Sequence, residues 1–508
     1  PTNRAEEVAQ EVLGWGELVI NVVDATNLER NLFLTMELME SKKAMILVLN
    51  MWDEADRSGI AIDVKRLEEH LQVPVVATVA LTGEGIAELV SRLGEAQPLL
   101  ERETLSEEKK WVEIGRITRD VQKVTHKHPT LWSSLSEATI EPFTGTPIAL
   151  TVIFATFWMV RLIGEGLIAH LFEPLFELYR PLAMKISAEL GPGMLHDLLI
   201  GRIIDGNIDY VQSMGLLTTG IYVPLGMVLP YIVGFYLALA LLEDSGYLPR
   251  LATLSDNLFH RLGMHGHAIV PLFLGLGCNV PGALSTRNLE TRKQRFIAAT
   301  LLGLAVPCTA KSAMIFGVLG SYGQWYVFLV FATLALVYLA AGLVLNKAVR
   351  GESPEIFLEI PPYRRPGVMV ILKKTWMRVR WFLAEAIPFL FLGVLLVNVL
   401  YTVGFMEWIA RIFSPFMEWW LAIPGEAVVA LLVGFFRKDL AVGMLLPLGL
   451  EAGQMVVATT VLSLYFPCVA TFAVMVKELG VMDTLRSAAV MAMTALMVGG
   501  AMRWALIR

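Results

Sequence analysis

The chain has 508 residues, of which 55% are hydrophobic and only 17% charged, against roughly 25% charge in an ordinary soluble domain. The charge is uneven: residues 1–140 hold 15 Lys/Arg and 24 Asp/Glu, while residues 141–508 hold 26 and 23. This is an acidic, water-facing front end joined to a polytopic membrane protein, and it excludes a nucleic-acid binder, a secreted disulfide scaffold and a disordered tail.

The front end opens PTNRAEEVAQ, without a signal-peptide pattern, and is expected to stay in the cytoplasm. Residues 1–95 alternate strands and helices. Leu18–Asp24 (LVINVVD) is a continuous apolar run, the mark of a buried parallel strand. A helix follows at about 29–40, then the strand Ala44–Asn50 (AMILVLN), a helix near 63–71, the strand Val73–Thr78 and a helix from Gly85. Alternation of this kind means a parallel α/β sheet, whose ligands bind beyond the carboxyl ends of the strands.

At those ends the chain reads Asn50-Met51-Trp52-Asp53 and, one strand later, Val79-Ala80-Leu81-Thr82-Gly83-Glu84-Gly85. A carboxylate such as Asp53 accepts two parallel hydrogen bonds from the N1–H and N2–H edge of guanine, which adenine does not offer. The glycine-rich turn is fit to close over a base. Asn and Asp are also common turn residues, so the weight of NxxD comes from its place at the end of a buried strand. A phosphate loop needs GxxxxGK[ST], and no Gly-Lys pair occurs anywhere in the chain. The DxxG at Asp56–Gly59 follows NxxD where a magnesium-side motif should precede it, and reads as chance. The chain is thus expected to start inside a nucleotide domain, after its phosphate half, as a truncated sequence or part of a split gene product. GTP hydrolysis by this chain alone is not expected.

Residues 96–140 are polar and helical in pattern. His126 and His128, at i and i+2, do not share a helix face, so a metal site there is not expected. Beyond them, apolar stretches near 148–168, 214–242, 268–284, 296–320, 324–346, 381–403, 424–449, 455–476 and 484–506 are candidate membrane spans, several broken by Pro or Gly. Loop 347–380 carries eight Lys/Arg against three Glu and loop 285–296 four against one, so both should be cytoplasmic. Loop 169–213, with three Lys/Arg against six Asp/Glu, should lie outside.

An internal repeat stands out. Val306–Gly320 (VPCTAKSAMIFGVLG) and Phe466–Gly480 (FPCVATFAVMVKELG) share Pro, Cys, both Ala positions, Leu and the final Gly at an offset of 160; upstream, Gly246, Tyr247 and Ala252 align with Gly404, Phe405 and Ala410 at 158. Duplicated halves with interrupted membrane helices are the pattern of a transporter whose site lies between the repeats. A proline frees a backbone carbonyl, which survives in hydrocarbon only where it lines a cavity.

Cys308 and Cys468 are equivalent in the repeat, and Cys278-Asn279 lies one broken helix earlier. Thiolate, carboxylate and amide oxygen together suit a borderline divalent ion such as Fe²⁺ better than Na⁺, Mg²⁺ or Ca²⁺, although free cysteine also packs as a small hydrophobe. Intramembrane charge adds Glu243, Asp244 and Glu385 to the candidate path. The cations of Arg437-Lys438-Asp439 are expected to pair with carboxylates or gate the cytoplasmic side. Lys311, one turn after Cys308, opposes a cation unless it snorkels or faces away.

The stretches NVVDATNLERNL, NMWDEA, QKVTHKHPTL, LLEDSGYLPR, GLGCNVPGALSTRNLE, VPC and FRKDLAVGML…YFPCVATFAV resemble the ferrous iron transport protein B (FeoB) family, in order along nearly the whole chain. The resemblance implies a cytoplasmic GTP-binding domain, a helical spacer that regulates nucleotide dissociation, and a membrane core with two gate repeats. It implies Fe²⁺ uptake across a bacterial or archaeal inner membrane, with small cytosolic accessory proteins as partners and a homo-oligomer left open. Carried over, Asn50 and Asp53 match the guanine-specificity motif, Cys278, Cys308 and Cys468 the gate cysteines, and Glu243 and Asp244 an acidic membrane-end motif. Two departures are the missing phosphate loop and switch segments, and Val79-Ala80 where the family has Ser-Ala.

The expected organisation is therefore residues 1–95 as the C-terminal half of a P-loop-type G domain, 96–140 as spacer, 141–346 as membrane core with the first gate repeat, 347–380 as a basic cytoplasmic loop, and 381–508 with the second. The expected function is GTP-controlled Fe²⁺ import along a cysteine-lined path. The alternatives are a Mn²⁺ or other divalent-metal transporter, a nucleoside-type carrier on the same gate architecture, and a membrane-anchored regulatory G module.

Overall fold

The computed structural model describes residues 11–98, 106–125, 131–191, 193–201, 203, 206–210, 213, 215–351, 360, 363, 366–436 and 438–507. It divides into two compact units, residues 1–134 and 135–508.

The first unit runs β1 (Leu18–Asp24), α1 (Leu28–Glu40), β2 (Ala44–Asn50), α2 (Trp52–Arg57), β3 (Ile60–Ile62), α3 (Val64–Leu71), β4 (Val75–Ala77), α4 (Ile86–Arg92), α5 (Glu107–Val121) and β5 (Gln122–Val124). Strands β1, β2 and β4 make a parallel sheet in that order, with Leu18 opposite Ala44 and Asp24 opposite Asn50. The carboxyl ends of β1 and β2 are therefore level. Met45–Leu49 of β2 are buried, as a central strand demands.

Strand β1 departs from the expectation. It buries Asn21 and Val23, but Ile20 and Val22 are 46% and 59% exposed. It is the edge of the sheet, and only one of its faces packs on α1. Asn21 fits that buried face because its Nδ2 donates to Thr35 Oγ1 of α1 at 2.8 Å.

Helix α5 lies on the same unit. Ile114, Ile117 and Val121 join the core of Leu32, Met36 and Leu67, and Lys110 pairs with Glu40 of α1 at 2.9 Å. The chain then forms β5, antiparallel to β3 with Ile60 opposite Val124. Three residues are too few to show an alternating pattern, so this strand left no signal in the sequence. Asp120, at the end of α5, meets His70 at 2.7 Å and Arg66 at 3.4 Å; the hydrogen bond from His70 holds its carboxyl below the usual carboxylate range. His126 and His128 lie outside the described residues.

The second unit is helical: α6 (Pro142–Leu167), α7 (Glu173–Leu190), α8 (Leu229–Asp244), α9 (Tyr247–Arg261), α10 (Ile269–Gly277), α11 (Asn279–Ser285), α12 (Arg292–Ala305), α13 (Thr309–Leu319), α14 (Gln324–Ala348), α15 (Val368–Thr402), α16 (Phe405–Leu421), α17 (Gly425–Phe436), α18 (Lys438–Leu445), α19 (Ala452–Leu464), α20 (Val469–Leu479) and α21 (Val481–Leu506), besides short turns. Among the described residues, six helical stretches are long and apolar enough to cross a membrane: Pro142–Leu190, Thr219–Asp244, Arg292–Leu319, Gln324–Ala348, Ala452–Leu479 and Val481–Leu506. A pair bent by 107°, Trp408–Leu421 with Gly425–Phe435, makes a seventh if counted as one span. This is a polytopic membrane protein with an α/β front end.

Two expected spans are hairpins instead. A Cβ on Gly282 of α11 would sit 3.0 Å from the carbonyl oxygen of Pro271 and 3.1 Å from Gly275 Cα. In a straight helix residues seven apart lie about 10 Å from one another, so 268–284 turns back at Cys278. In the second half, Gly434 of α17 lies against Ala441 of α18, where an added Cβ would meet the Ala441 Cβ at 3.2 Å. Hydropathy has no direction, so a folded-back pair of short helices reads like one span.

Each half thus follows one plan: a leading helix (α9 or α16), a hairpin (α10–α11 or α17–α18), a helix broken at Pro-Cys (α12–α13 or α19–α20), and a long helix (α14 or α21). The halves interlock, with α11 packed on α20 and α13 on α18. Thr300 Oγ1 of α12 donates to Ser487 Oγ of α21 at 2.8 Å, both fully buried. Arg292 meets buried Asp483 at 2.6 Å.

Candidate functional site

At the carboxyl ends of the sheet, Asn50 closes β2 and reaches across to the segment after β4. Its Oδ1 accepts from the Ala80 amide at 3.0 Å and from Thr78 Oγ1 at 3.3 Å. The side chain therefore staples together the two loops that the sequence singles out. Met51 follows in the left-handed region at φ +61°, an uncommon setting for a non-glycine residue that places Asp53 in the first turn of α2. The half-exposed Asp53 carboxylate pairs with Arg57 one turn on at 3.2 Å.

Val79 is buried and its amide donates to the Glu84 carbonyl at 3.0 Å, closing a tight loop over Ala80–Gly83. Gly85 is obligatory there: φ is +76°, and a Cβ would lie 2.1 Å from the carbonyl oxygen of Ala77. Asn50, Asp53, Val79 and Ala80 are thus gathered at one end of the sheet, where a planar base with an N–H edge has a carboxylate to meet and a loop to lie against.

In the membrane unit the broken helices set the geometry. Cys308 directly precedes α13 and Cys468 directly precedes α20, both in extended conformation. Cys278 is the hairpin tip, ending α10 and heading α11. All three are free and half-buried. The helix that Cys278 heads, α11, packs on α20, the helix that Cys468 heads. The tip is tied to the first break, since Thr309 Oγ1 donates to the Gly277 carbonyl at 2.8 Å. Cys468 Sγ lies 3.2 Å from Thr471 Oγ1. Asn279, beside Cys278, is buried with its Oδ1 lacking a hydrogen-bond partner. Among the described residues no three His, Cys, Asp or Glu side chains are grouped closely enough to hold a metal ion.

Glu243 and Asp244 end α8 and are engaged by α15: Arg378 meets Glu243 at 2.6 Å, and Lys374 bonds Asp244 and lies 3.5 Å from Glu243. They form their own group with the basic first part of α15. Glu385 falls within α15, and its side chain lies outside the described residues, as do Arg437 and the side chain of Asp439.

The sequence left Lys311 undecided and gave Lys438 either a carboxylate partner or a gating place on the cytoplasmic side. Both are buried, and both bond to backbone: Lys311 Nζ to the Gly303 carbonyl at 2.9 Å, Lys438 Nζ to that of Leu462 at 2.6 Å. The repeat offset of 160 carried a signal, since it aligns Lys438 with Cys278.

Residues 1–93 match a family model described as ferrous iron transport protein B, and residues 327–378 match one for the C terminus of the same family. Residues 225–322 and 383–482 match a gate model described as nucleoside recognition, once in each half. Among curated proteins, the chain is 29% identical over 404 residues to the Fe(2+) transporter FeoB of Campylobacter jejuni, covering 75% of this chain and 62% of that protein. It is 25% identical over 569 residues to the Fe(2+) transporter FeoB of Staphylococcus aureus, covering 91% and 83%. The chain thus spans less than two thirds of the C. jejuni relative's length. Among solved structures, the cytosolic domain of the T. maritima FeoB iron transporter in its GMPPNP form aligns with 23% of this chain and 73% of that one, at 23% identity and a TM-score of 0.21.

Proposed function

This chain belongs to the ferrous iron transport protein B family, and on that footing we propose that its membrane part carries Fe²⁺ across the inner membrane, between the two gate repeats. The observation that supports the reading is the place of the cysteines: Cys308 and Cys468 head the second half-helices at the matching Pro-Cys breaks, and Cys278 is the tip of a hairpin that is bonded to the first break and packed on the helix Cys468 heads. Fe²⁺ is borderline in softness, and thiolate ligands separate it from the abundant hard cations. Metal binding needs the thiolate, and the N-terminus of a helix carries the partial positive charge that favours it. Asn279 adds a buried amide oxygen beside Cys278. Glu243, Asp244 and Glu385 are the carboxylates proposed for the path, the first two held by Lys374 and Arg378.

The α/β unit is the guanine side of a GTP-binding domain that controls this path. Asp53 recognises the base edge, Asn50 holds the Val79-Ala80 loop against it, and Ala80 lines the pocket. Residues 96–140 act as the spacer to the membrane core. Small cytosolic accessory proteins are the expected partners of the front end.

The test is anoxic radio-iron uptake into proteoliposomes containing the chain, with Mn²⁺ and Zn²⁺ as competitors. Cys308→Ala and Cys468→Ala should each reduce Fe²⁺ uptake at least tenfold while the protein stays monodisperse. Unchanged uptake by well-folded variants would remove the cysteines from the path, and preference for Mn²⁺ would reassign the substrate.

A further inference from the structure

Two lysines are buried at the Pro-Cys breaks. Lys311 is 1% and Lys438 5% exposed. Lys311 lies three residues after Cys308 on α13, and α18, which Lys438 heads, packs on α13. Burying a charge is costly unless something compensates it, and here the compensation is the same in both halves. Gly303 is the third residue from the end of α12, and Leu462 the third from the end of α19. Each carbonyl belongs to the last turn of a first half-helix, where carbonyls have no partner within the helix and the dipole leaves about half a negative charge. Each ammonium takes that carbonyl.

The lysines reach these matching ends from unmatched places. Lys438 heads the second hairpin's return helix, at the position where the first repeat has Cys278; Lys311 lies one turn into α13, where the second repeat has Thr471, the hydroxyl beside Cys468. Lys311 serves the break of its own repeat, and Lys438 the break that follows its hairpin. Two positions that differ between the repeats thus do the same job at both breaks.

Unwound carbonyls and half-helix C-termini are the groups that coordinate Na⁺ and other hard cations within membranes. In this protein those oxygens are already occupied by tethered cations. A hydrated Na⁺, K⁺, Mg²⁺ or Ca²⁺ arriving at the breaks meets the two lysines and finds the carbonyl ends taken. Only an ion that gains from sulfur has an interaction left to offset the repulsion.

We infer that Lys311 and Lys438 are the selectivity residues of the transport path, two tethered cations that hold the helix ends at the Pro-Cys breaks and so shut out cations that do not bind thiolate. The inference rests on the metal-transport reading above. It asks what the path rejects, where that reading asks what it accepts.

The experiment places the whole chain and its Lys311→Gln and Lys438→Gln variants in proteoliposomes with trapped Mg²⁺ and K⁺ indicators. Gln keeps an N–H donor for the carbonyl and removes the charge. Each Gln variant should admit Mg²⁺ or K⁺ at least tenfold faster than the unsubstituted chain, and Lys→Arg variants, which keep the charge, should stay tight. Where a Gln variant is not monodisperse, Lys→Met at the same position serves in its place. Monodisperse uncharged variants as tight to Mg²⁺ and K⁺ as the unsubstituted chain would overturn the inference. Radio-iron uptake by the unsubstituted chain is scored separately: its absence defeats the metal-transport reading, whereas tight uncharged variants defeat the filter alone.

Discussion

Gly83 and Gly85 bracket the loop against which a base is proposed to lie, and together they isolate one steric effect. Both have positive φ, +83° and +76°. A Cβ at Gly83 meets nothing within 4 Å, while one at Gly85 would sit 2.1 Å from the Ala77 carbonyl oxygen and 3.1 Å from Thr78 Cα. Gly83→Ala therefore incurs only the left-handed backbone penalty, about 1–2 kcal/mol. Gly85→Ala incurs the same penalty and must also push the end of β4 away from the loop. The Val79 amide, bonded to the Glu84 carbonyl at 3.0 Å, reports the opening of this loop by hydrogen exchange, where each 1.4 kcal/mol is a factor of about ten. Gly83→Ala should speed its exchange about 5- to 30-fold. Gly85→Ala should exceed that by a further factor of about ten or more, and should weaken binding of a fluorescent guanine nucleotide in step. Equal exchange in the two variants would refute the reasoning, because the close carbonyl would then have given way at no cost.

Thr300→Val removes the donor that joins α12 to α21 and leaves the buried Ser487 hydroxyl unpaired, which should lower stability by about 1–3 kcal/mol in detergent unfolding; adding Ser487→Ala should recover part of the loss. The Asp120 carboxyl, held low by His70, is a group whose folded value lies below its unfolded one. Its contribution is present above the unfolded carboxylate value and lost as pH falls through the folded one. The stability difference between the chain and Asp120→Asn should accordingly exist at pH 7 and fade in acid unfolding below about pH 4.

Much of the front end is legible in the sequence because its signals are local. Leu18–Asp24 and Ala44–Asn50 appear as the strands their apolar runs predict, and Asn50 meets the glycine loop because parallel strands align their carboxyl ends. The exposure of Ile20 and Val22 was not legible, since an apolar run does not say which neighbours cover it. In the membrane unit the Pro-Cys pairs mark the breaks where they are found. The turns at Cys278 and near 437 were hidden, because composition reports burial in lipid and not the direction of the chain. The partners of Lys311 and Lys438 were hidden for a related reason: a backbone carbonyl has no sequence signature, and only the fold delivers one to a buried ammonium. Lys374 and Arg378 were visible as part of a basic loop, but their pairing with Glu243 and Asp244 depends on α15 lying beside α8.

The broken helices also have an electrical consequence. At 1.5 Å per residue, α12 (Arg292–Ala305) and α13 (Thr309–Leu319) extend about 21 and 16 Å on either side of the Pro-Cys break, and a hydrocarbon core is about 30 Å thick. The break therefore falls near the middle of the membrane voltage drop. A divalent ion moved to it from either surface crosses about half the field, worth about 2.3 kcal/mol per 100 mV, or roughly a 40-fold change in occupancy. On the proposed path, a negative cell interior would favour a divalent ion at this break by that amount, with no help from the nucleotide side.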